Sequence, residues 1–564
     1  MAATYSASLD TILSLPAAML VDGSGGPKRQ AGIFTAADLA ALKRICGRTA
    51  IFCQGAAIHP AELIPPAIIE AEEMVHEVSA PNGGSFHPKV WVMRFKHAES
   101  GRLLLRMGIM SRNLTGDASW DAGIVLNSTV AAAAPTTNDL GALLRLLPGR
   151  CHRPLDAKRR ALLLELAKEV ETAKWKMPAG IGAPAFHLIG GQSGRAWVQP
   201  QSERLAIISP FLTPGAIKKL TQSAKARPVL VSRPLALEHC WPAISGKFDR
   251  HMVLAPPGDV TDAPRANGVH AKILLWENRS KVRMALGSMN ATSAAISGRN
   301  VEFMVSFDCT KAIGPAGIDT LLERSSLGSV LEDFEPEPGG EPLSEPFDDR
   351  PARYYLLAAQ LHLACVFEEC GWAISLVPKS PHADIATLLP SLRFRPATLA
   401  GARAGACAAA LAAGEAARLP GTLELAEITG FTVFEADGPD GPIAFVLNLE
   451  VRGVDEGARR HAALKALLSS NRMFSDFLRT LLGDFQALDA VADTSGAEGL
   501  SIGWKPGQSG LLEMLIRCAA DDPARFTSIK ETLQAFGPDE LEAVAPPGFL
   551  KIWSAILETA GAQP

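Results

Sequence analysis

The sequence predicts an α/β protein: two similar α-β-α halves at residues 1–180 and 181–332, an acidic proline-rich linker at 333–352, and an α+β domain at 353–564. Three observations predict it. Two His-x-Lys triplets, His87-Pro88-Lys89 and His270-Ala271-Lys272, stand 183 residues apart, and each is trailed by a Ser-x-Asn, Ser111-Arg112-Asn113 and Ser288-Met289-Asn290. Strand-like apolar runs alternate with helix-like runs around both copies. The charge also changes sign: residues 1–330 carry 37 Lys+Arg against 26 Asp+Glu (+11), residues 331–564 carry 18 against 33 (−15), and the two sum to −4.

Taken in order, Ala36 to Arg44 has helical spacing, and Thr49 to Cys53 and Val90 to Phe95 read as strands. The apolar run Leu103 to Ile109 follows, then a helix-like stretch from Lys158 to Lys176. Glycine, alanine and proline cluster between Pro178 and Gly194, a soft boundary. In the second half Leu205 to Leu212 reads as a buried strand, Pro214 to Ser223 as a helix opened by proline, and Pro228 to Ser232 as another buried strand. Asp333 to Pro351 is rich in prolines and acids and poor in residues that could join a core, which marks the linker. Beyond it, Ala402 to Arg418 looks helical. Phe431 to Glu435 and Ile443 to Val451 flank the turn signal Asp437 to Pro442, and Glu456 to Ala487 has helical periodicity.

Length and composition bound the possibilities. A chain of 564 residues has room for about three domains, and 47% hydrophobic with 20% charged residues is globular rather than disordered. The apolar stretch Ile12 to Val21 has no preceding positive charge and is interrupted by Pro16, so it reads poorly as a secretory leader. No run of about 18 apolar residues suggests a membrane span. Nine cysteines, an odd number without a Cys-x-x-Cys pair, favour a reducing compartment, the cytoplasm, over a disulfide framework or a zinc site. The basic front portion favours a polyanionic partner, nucleic acid, and the acidic rear argues against the whole molecule coating it.

The triplets carry the chemistry. In a strand, residues i and i+2 share a face, so His87 and Lys89 emerge together, as do His270 and Lys272. If the apolar runs Leu103 to Ile109 and Val282 to Leu286 pair with those strands, Asn113 and Asn290 land near the same faces. Two such faces brought together supply two imidazoles, two ammonium groups and two amides. One imidazole can attack phosphorus, the other can protonate the leaving oxygen, and the Lys and Asn side chains can stabilise the charged equatorial oxygens. No metal or other cofactor is needed for that set. His59, His76, His97, His152, His187, His239 and His251 lie outside the pattern and read as structural or surface groups.

This duplicated order resembles the phospholipase D superfamily, whose pattern is His-x-Lys, four residues, Asp, then Gly-Ser-x-Asn, in two copies. The second copy is close, with Glu277 at the Asp position and Gly287-Ser288-Met289-Asn290 after it. The stretch Arg299-Asn300-Val301-Glu302 looks like the family's downstream Asn-x-Glu, whose acid orients an active-site imidazole. In the first copy Arg94 takes the Asp position and Met110-Ser111 replaces Gly-Ser. Loss of that Asp, with Ser111-Arg-Asn-Leu-Thr and Trp120-Asp121, is similar to the tyrosyl-DNA phosphodiesterase branch. The resemblance spans about residues 30–310. It implies two pseudo-symmetric halves forming one catalytic unit, with His87, Lys89, Asn113, His270, Lys272 and Asn290 in the site and Ser111, Asp121, Ser288 and Glu302 supporting them. It further implies His87 as nucleophile through a phosphohistidine, His270 as acid, and Asp121 as the carboxylate holding His87.

The expected function is therefore metal-independent hydrolysis of nucleic-acid phosphodiester bonds. By family analogy it fits a bacterial phage-defence or restriction-type setting, in which the C-terminal domain binds a protein partner such as a helicase. A lipid phosphodiesterase and a degenerate, non-enzymatic binding scaffold stand as alternatives. The first would call for an interfacial amphipathic helix, and none stands out.

Overall fold

The computed structural model describes residues 1–20, 34–130 (except 63 and 98), 137–255 (except 227), 268–336 (except 315 and 324), 348–484 and 510–561 (except 535). Val21, part of the expected linker and the end of the expected helix at Ala487 fall outside them. The chain is a mixed α/β structure with four sheets among the described residues, and it separates into two compact units. The first comprises Met1–Ala7, Ala50–Ile58 and His76–Pro346; the second comprises Ser8–Thr49, His59–Val75 and Phe347–Pro564.

The first unit holds two large sheets. In one, Ile51–Gln54, Ala2–Thr4, Val90–Lys96, Leu103–Met110, Gly123–Val130 and Ala173–Lys176 are successive neighbours. In the other, Val229–Val231, Arg204–Ile208, Ile273–Asn278, Lys281–Gly287, Glu302–Asp308 and Ala185–Ile189 are successive neighbours. The two series match in direction, the first pair being parallel and every later pair antiparallel. The strands show why these residues chose them. Val90, Val92 and Arg94 share one face of their strand: the valines join the core with Leu166 and Val170 of the helix Ala157–Thr172, and Arg94 pairs with Glu165 and Glu169 of the same helix.

One face of each sheet contributes to a common core that includes Val92, Met107, Leu126, Leu275, Phe303 and Val305. On its other face the second sheet is covered by helices Pro214–Thr221 and Pro234–Ile244, through Ile207, Ile217, Leu230, Leu237 and Ile244. Burial on this scale, at about 25 cal/mol per Å² of apolar surface, is what makes the sheets a stable platform. The sheets are also joined through the backbone segments that lead into their interior strands. Phe86 bridges Val301 and Trp120 bridges Val269, both in parallel sense, so each His-x-Lys segment is stitched to the opposite sheet just before its triplet.

The second unit contains an antiparallel set Gly441–Asn448, Phe431–Gly438, Arg393–Pro396, Gly405–Ala406, a four-stranded sheet and a helical cluster. Phe431–Gly438 and Gly441–Asn448 form a hairpin with Gly438 opposite Gly441, at the turn read from the sequence. Glu456–Leu467 and Asn471–Leu482 are separate helices, the latter capped by Ser470 and closed by left-handed Gly483, worth about 1 kcal/mol for the cap. No helix among the described residues is long and apolar enough to cross a membrane. None of the nine cysteines is in a disulfide bond.

Three expectations need correction. Residues 8–49 and 59–75 belong with the rear unit rather than the first half. Ala36, Leu39, Ala40 and Ala67 fill the same apolar cluster as Phe474, Phe477 and Leu515, and a buried ion pair joins Glu72 to Arg459. The expected linker is shorter than 333–352. Asp333 closes the strand Leu331–Asp333 and pairs with Arg250 through two 2.8 Å bonds, while Pro351 sits in the first turn of helix Arg350–Ala358. Ala402 to Arg418 is not one helix but a short helix, Ala408–Ala413, between the strands Gly405–Ala406 and Ala417–Arg418. Left-handed Gly414 ends that helix, and so many alanines offer no apolar stripe to hold a longer one.

Candidate active site

Each triplet lies just before a strand rather than within it: His87 to Lys89 precede Val90–Lys96, and His270 to Lys272 precede Ile273–Asn278. The backbone bonds are equivalent in the two copies. Met110 N–H donates to the Lys89 carbonyl (3.0 Å), and Gly287 N–H donates to that of Lys272 (3.3 Å). These pairings deliver Ser111 and Ser288 beside the triplets. Ser111 N–H donates to Ala122 O and Ser288 N–H to Phe303 O, while each Oγ accepts from the same partner's N–H at 2.8 and 2.9 Å. Gly287 is required here: its φ is +152°, and a Cβ would stand 2.3 Å from Phe303 O.

Each serine hydroxyl donates to the carboxylate just before its partner, Ser111 to Asp121 (2.8 Å) and Ser288 to Glu302. Each carboxylate then reaches across to the imidazole of the other sheet. His87 Nδ1 lies 2.8 Å from Glu302 Oε2, and His270 Nδ1 lies 2.8 Å from Asp121 Oδ1. The expectation that Asp121 holds His87 is therefore corrected. The reason is the backbone pairing: His87 N–H donates to Val301 O and His270 N–H donates to Trp120 O, which sets each histidine beside the residue that follows its backbone partner. Asn300, the Asn of the Asn-x-Glu stretch and given no role there, steadies Glu302 through Nδ2 (3.3 Å).

With Nδ1 engaged by a carboxylate, Nε2 of each imidazole is the atom left for chemistry. Lys89 Nζ sits 3.1 Å from His87 Nε2 and donates to the His87 carbonyl (3.0 Å), and Lys272 Nζ donates to the His270 carbonyl (2.6 Å). Both lysines are almost fully enclosed, at 1% and 0% exposure. Tyr5 lies over this group, its ring 5.1 Å from the His87 ring and 5.9 Å from Lys89 Nζ. It follows a three-residue strand, so no pattern in the sequence marks it.

Burial dominates the electrostatics. Desolvation pushes His87 down to about 4 against the opposing pull of Glu302, and pushes Lys89 down to about 7. Lys272 falls well below the usual lysine range through burial and then the nearby Lys89 charge. His270 is lowered by burial, partly offset by its bond to Asp121. Burial also opposes charge on Glu302 and Asp121, yet their imidazole, lysine and serine partners outweigh it and hold both carboxyls below their ordinary values. Each ammonium also depresses the imidazole of the other sheet, so the two triplets sense one another.

Hydrogen bonds and mutual electrostatics thus join His87, Lys89, Ser111, Asp121, His270, Lys272, Ser288 and Glu302. Asn113 and Asn290 stand two residues past the serines with no such bond to the imidazoles. Each keeps a buried Oδ1 without a hydrogen-bond partner. The family-type acidic position lies outside the cluster. Glu277 accepts from Ile318 N–H and pairs with Arg204, and Arg94 pairs with Glu165 and Glu169. Among the described residues no group of three or more His, Cys, Asp or Glu side chains is placed to hold a metal ion. A cavity of about 460 Å³, lined by His187, Arg195, Trp197, Trp276, Arg283 and Ser306 among others, shares no residue with this cluster.

No protein-family model matches the chain, and no curated protein does. Among solved structures it is similar to yeast tyrosyl-DNA phosphodiesterase, a phospholipase D superfamily member, at 12% identity and a TM-score of 0.33, covering 46% of this chain and 77% of that one. A mutant of the same yeast enzyme matches at 10% identity and a TM-score of 0.33, covering 46% and 76%.

Proposed function

We propose that the first unit is a phosphodiesterase of two duplicated halves that hydrolyses nucleic-acid phosphodiester bonds through a phosphohistidine. The observation that carries this reading is the crossed pair of carboxylate-held imidazoles, His87–Glu302 and His270–Asp121, with a buried lysine beside each. The matching strand series supports the duplication.

Above its depressed pKa of about 4 His87 is neutral, with its Nδ1–H toward Glu302, so Nε2 carries the lone pair that attacks phosphorus once Lys89 Nζ, 3.1 Å from it, turns to the phosphoryl oxygens. As the P–Nε2 bond forms, the P–O bond to the leaving group breaks and His270 Nε2–H supplies the proton that oxygen takes up. His270, now neutral, accepts a proton from water, whose oxygen attacks phosphorus. The P–N bond breaks, and both imidazoles return to their starting states. Lys89 and Lys272 carry the positive charge that meets the phosphoryl oxygens, and Asn113 and Asn290 supply amide donors beside them. Asp121 and Glu302 fix tautomer and orientation and stabilise whichever imidazole is charged. Nucleic acid is favoured as substrate by the excess of 11 positive charges over residues 1–330.

The test is hydrolysis of labelled single- and double-stranded DNA, RNA and phospholipid vesicles in the presence of EDTA, with His87→Ala alongside. Nucleic-acid cleavage that survives EDTA and is lost in His87→Ala is expected. Activity that EDTA abolishes, or that His87→Ala retains, overturns the mechanism; cleavage of lipid alone overturns the substrate.

A further inference from the structure

Beside the His270 half-site stands an aromatic–guanidinium pair that the chemistry above does not use. Phe211 follows the strand Arg204–Ile208 and is 48% exposed, unusual for a phenylalanine with a rigid backbone beneath it. That backbone is pinned on both sides. Ser209 Oγ donates to Phe211 O (2.8 Å) and accepts from Ala291 N–H (2.9 Å), and Leu212 bridges Ala291, the residue after Asn290. Arg233 follows the neighbouring strand Val229–Val231. Its Nε donates to Val269 O (2.8 Å), immediately before His270, and its guanidinium lies 5.2 Å over the Phe211 ring.

The guanidinium is half-buried yet makes no ion pair among the described residues. Burial lowers its pKa, opposed by Asp117 and Asp121 across the seam without a bond to either. Structural arginines in this unit behave otherwise: Arg94, Arg204 and Arg250 each close on a carboxylate. A fixed aromatic face and an unpaired guanidinium fork, held between the Asn290 and His270 segments, match a nucleotide next to the scissile phosphate. The ring offers a stacking surface to any base and the fork offers paired donors to the flanking phosphate.

We propose that Phe211 and Arg233 form a subsite for the nucleotide adjoining the cleaved bond, Phe211 stacking its base and Arg233 binding its phosphate, so that the substrate is single-stranded there. This rests on the phosphodiesterase reading for its position and on the pair itself for its chemistry. Stacking needs an unpaired base, since a paired one has both faces occupied within the duplex.

The test separates binding from turnover. A single-stranded oligonucleotide carrying 2-aminopurine reports stacking by fluorescence quenching, and its Kd is measured by titration with wild type, Phe211→Leu and Arg233→Lys. Leucine keeps the apolar cover without a stacking face; lysine keeps the charge without the fork. Quenching by wild type, with Kd weakened about tenfold and quenching lost in Phe211→Leu, is expected, an effect in the range of one base–aromatic stack. In parallel, thymidine 3′- and 5′-(p-nitrophenyl phosphate) are compared with methyl p-nitrophenyl phosphate, which has the same leaving group and no base. Phe211→Leu should lower kcat/KM for a thymidine ester about tenfold more than for the methyl ester. Quenching and Kd unchanged in Phe211→Leu overturn the subsite, whatever the turnover. Quenching lost in Phe211→Leu with no hydrolysis of any ester upholds the subsite and overturns the phosphodiesterase reading instead.

Discussion

His87 and Glu302 are 215 residues apart in sequence and 2.8 Å apart in space, each supplied by a different sheet. His270 and Asp121 repeat the relationship in reverse across 149 residues. Both contacts follow from a few backbone bonds, His87 to Val301 and His270 to Trp120, so the geometry of the imidazoles is set by how the sheets dock.

The carboxylates should therefore move the pH dependence in a defined sense. His87 must be neutral to attack and His270 protonated to donate, so kcat/KM in the wild type should peak at acidic pH, above about 4 and below the ordinary histidine value of 6.5. Glu302 raises the His87 pKa, so Glu302→Gln should carry the acid limb to still lower pH and cut kcat by about 10²- to 10⁴-fold. Asp121→Asn should instead move the alkaline limb down. Initial-rate profiles from pH 3 to 9 decide it; limbs unmoved in both variants would show that neither histidine controls the reaction.

The roles of the histidines are separable by trapping. With no base to take the proton from water, His270→Ala should accumulate a phosphoenzyme from a substrate whose leaving group needs no acid, such as a p-nitrophenyl ester, and His87→Ala should not. Acid-labile label on the intact protein, located by peptide mass spectrometry, is the readout. Label in His87→Ala alone would exchange the two assignments.

A cost attends the buried lysines. Lys272 is enclosed, repelled by Lys89 and depressed well below its ordinary value, so the fold disfavours its charge. Lys272→Met, similar in volume, should lower activity about 10²- to 10³-fold while raising stability by on the order of 1–3 kcal/mol near neutrality. The sign with pH follows from linkage. Between the depressed folded pKa and the unfolded 10.5 the unfolded chain binds more protons, so wild-type stability climbs with pH there and the advantage of methionine shrinks. Thermal melts of both proteins from pH 6 to 10 measure it; a destabilised Lys272→Met at pH 6 would contradict the account.

Gly287→Ala should cost more than an ordinary surface change. Its Cβ would fall 2.3 Å from Phe303 O at a backbone angle that alanine rarely adopts, a loss of about 2–4 kcal/mol, together with displacement of Ser288 from Glu302. Met110, at the corresponding place before Ser111, should accept alanine with under about 1.5 kcal/mol of change. Urea denaturation of the two variants distinguishes them.

Much of this site was legible locally. The triplets, the following Ser-x-Asn and the strands carrying them are short-range patterns, since strand period and hydrogen-bond register are written in neighbouring residues. Which carboxylate serves which imidazole was not, because it depends on how the segments entering the strands of one sheet pair with those of the other. Tyr5 was invisible for the same reason: a lone residue next to a three-residue strand has no pattern of its own. Likewise nothing in Ala36 to Cys46 announces that its apolar face joins Phe474 and Leu515, more than 400 positions later. Apolar patterning says which face is buried, not against what.

The bridges Phe86–Val301 and Trp120–Val269 also have a bearing on how such a protein fails. Because each sheet furnishes an imidazole to one dyad and a carboxylate to the other, parting the seam strips both dyads at once. Damage between the sheets, by heat or by a protease nick, would yield silent molecules rather than sluggish or indiscriminate ones. For the proposed phosphodiesterase, being either whole or inert would be a safeguard written into its backbone.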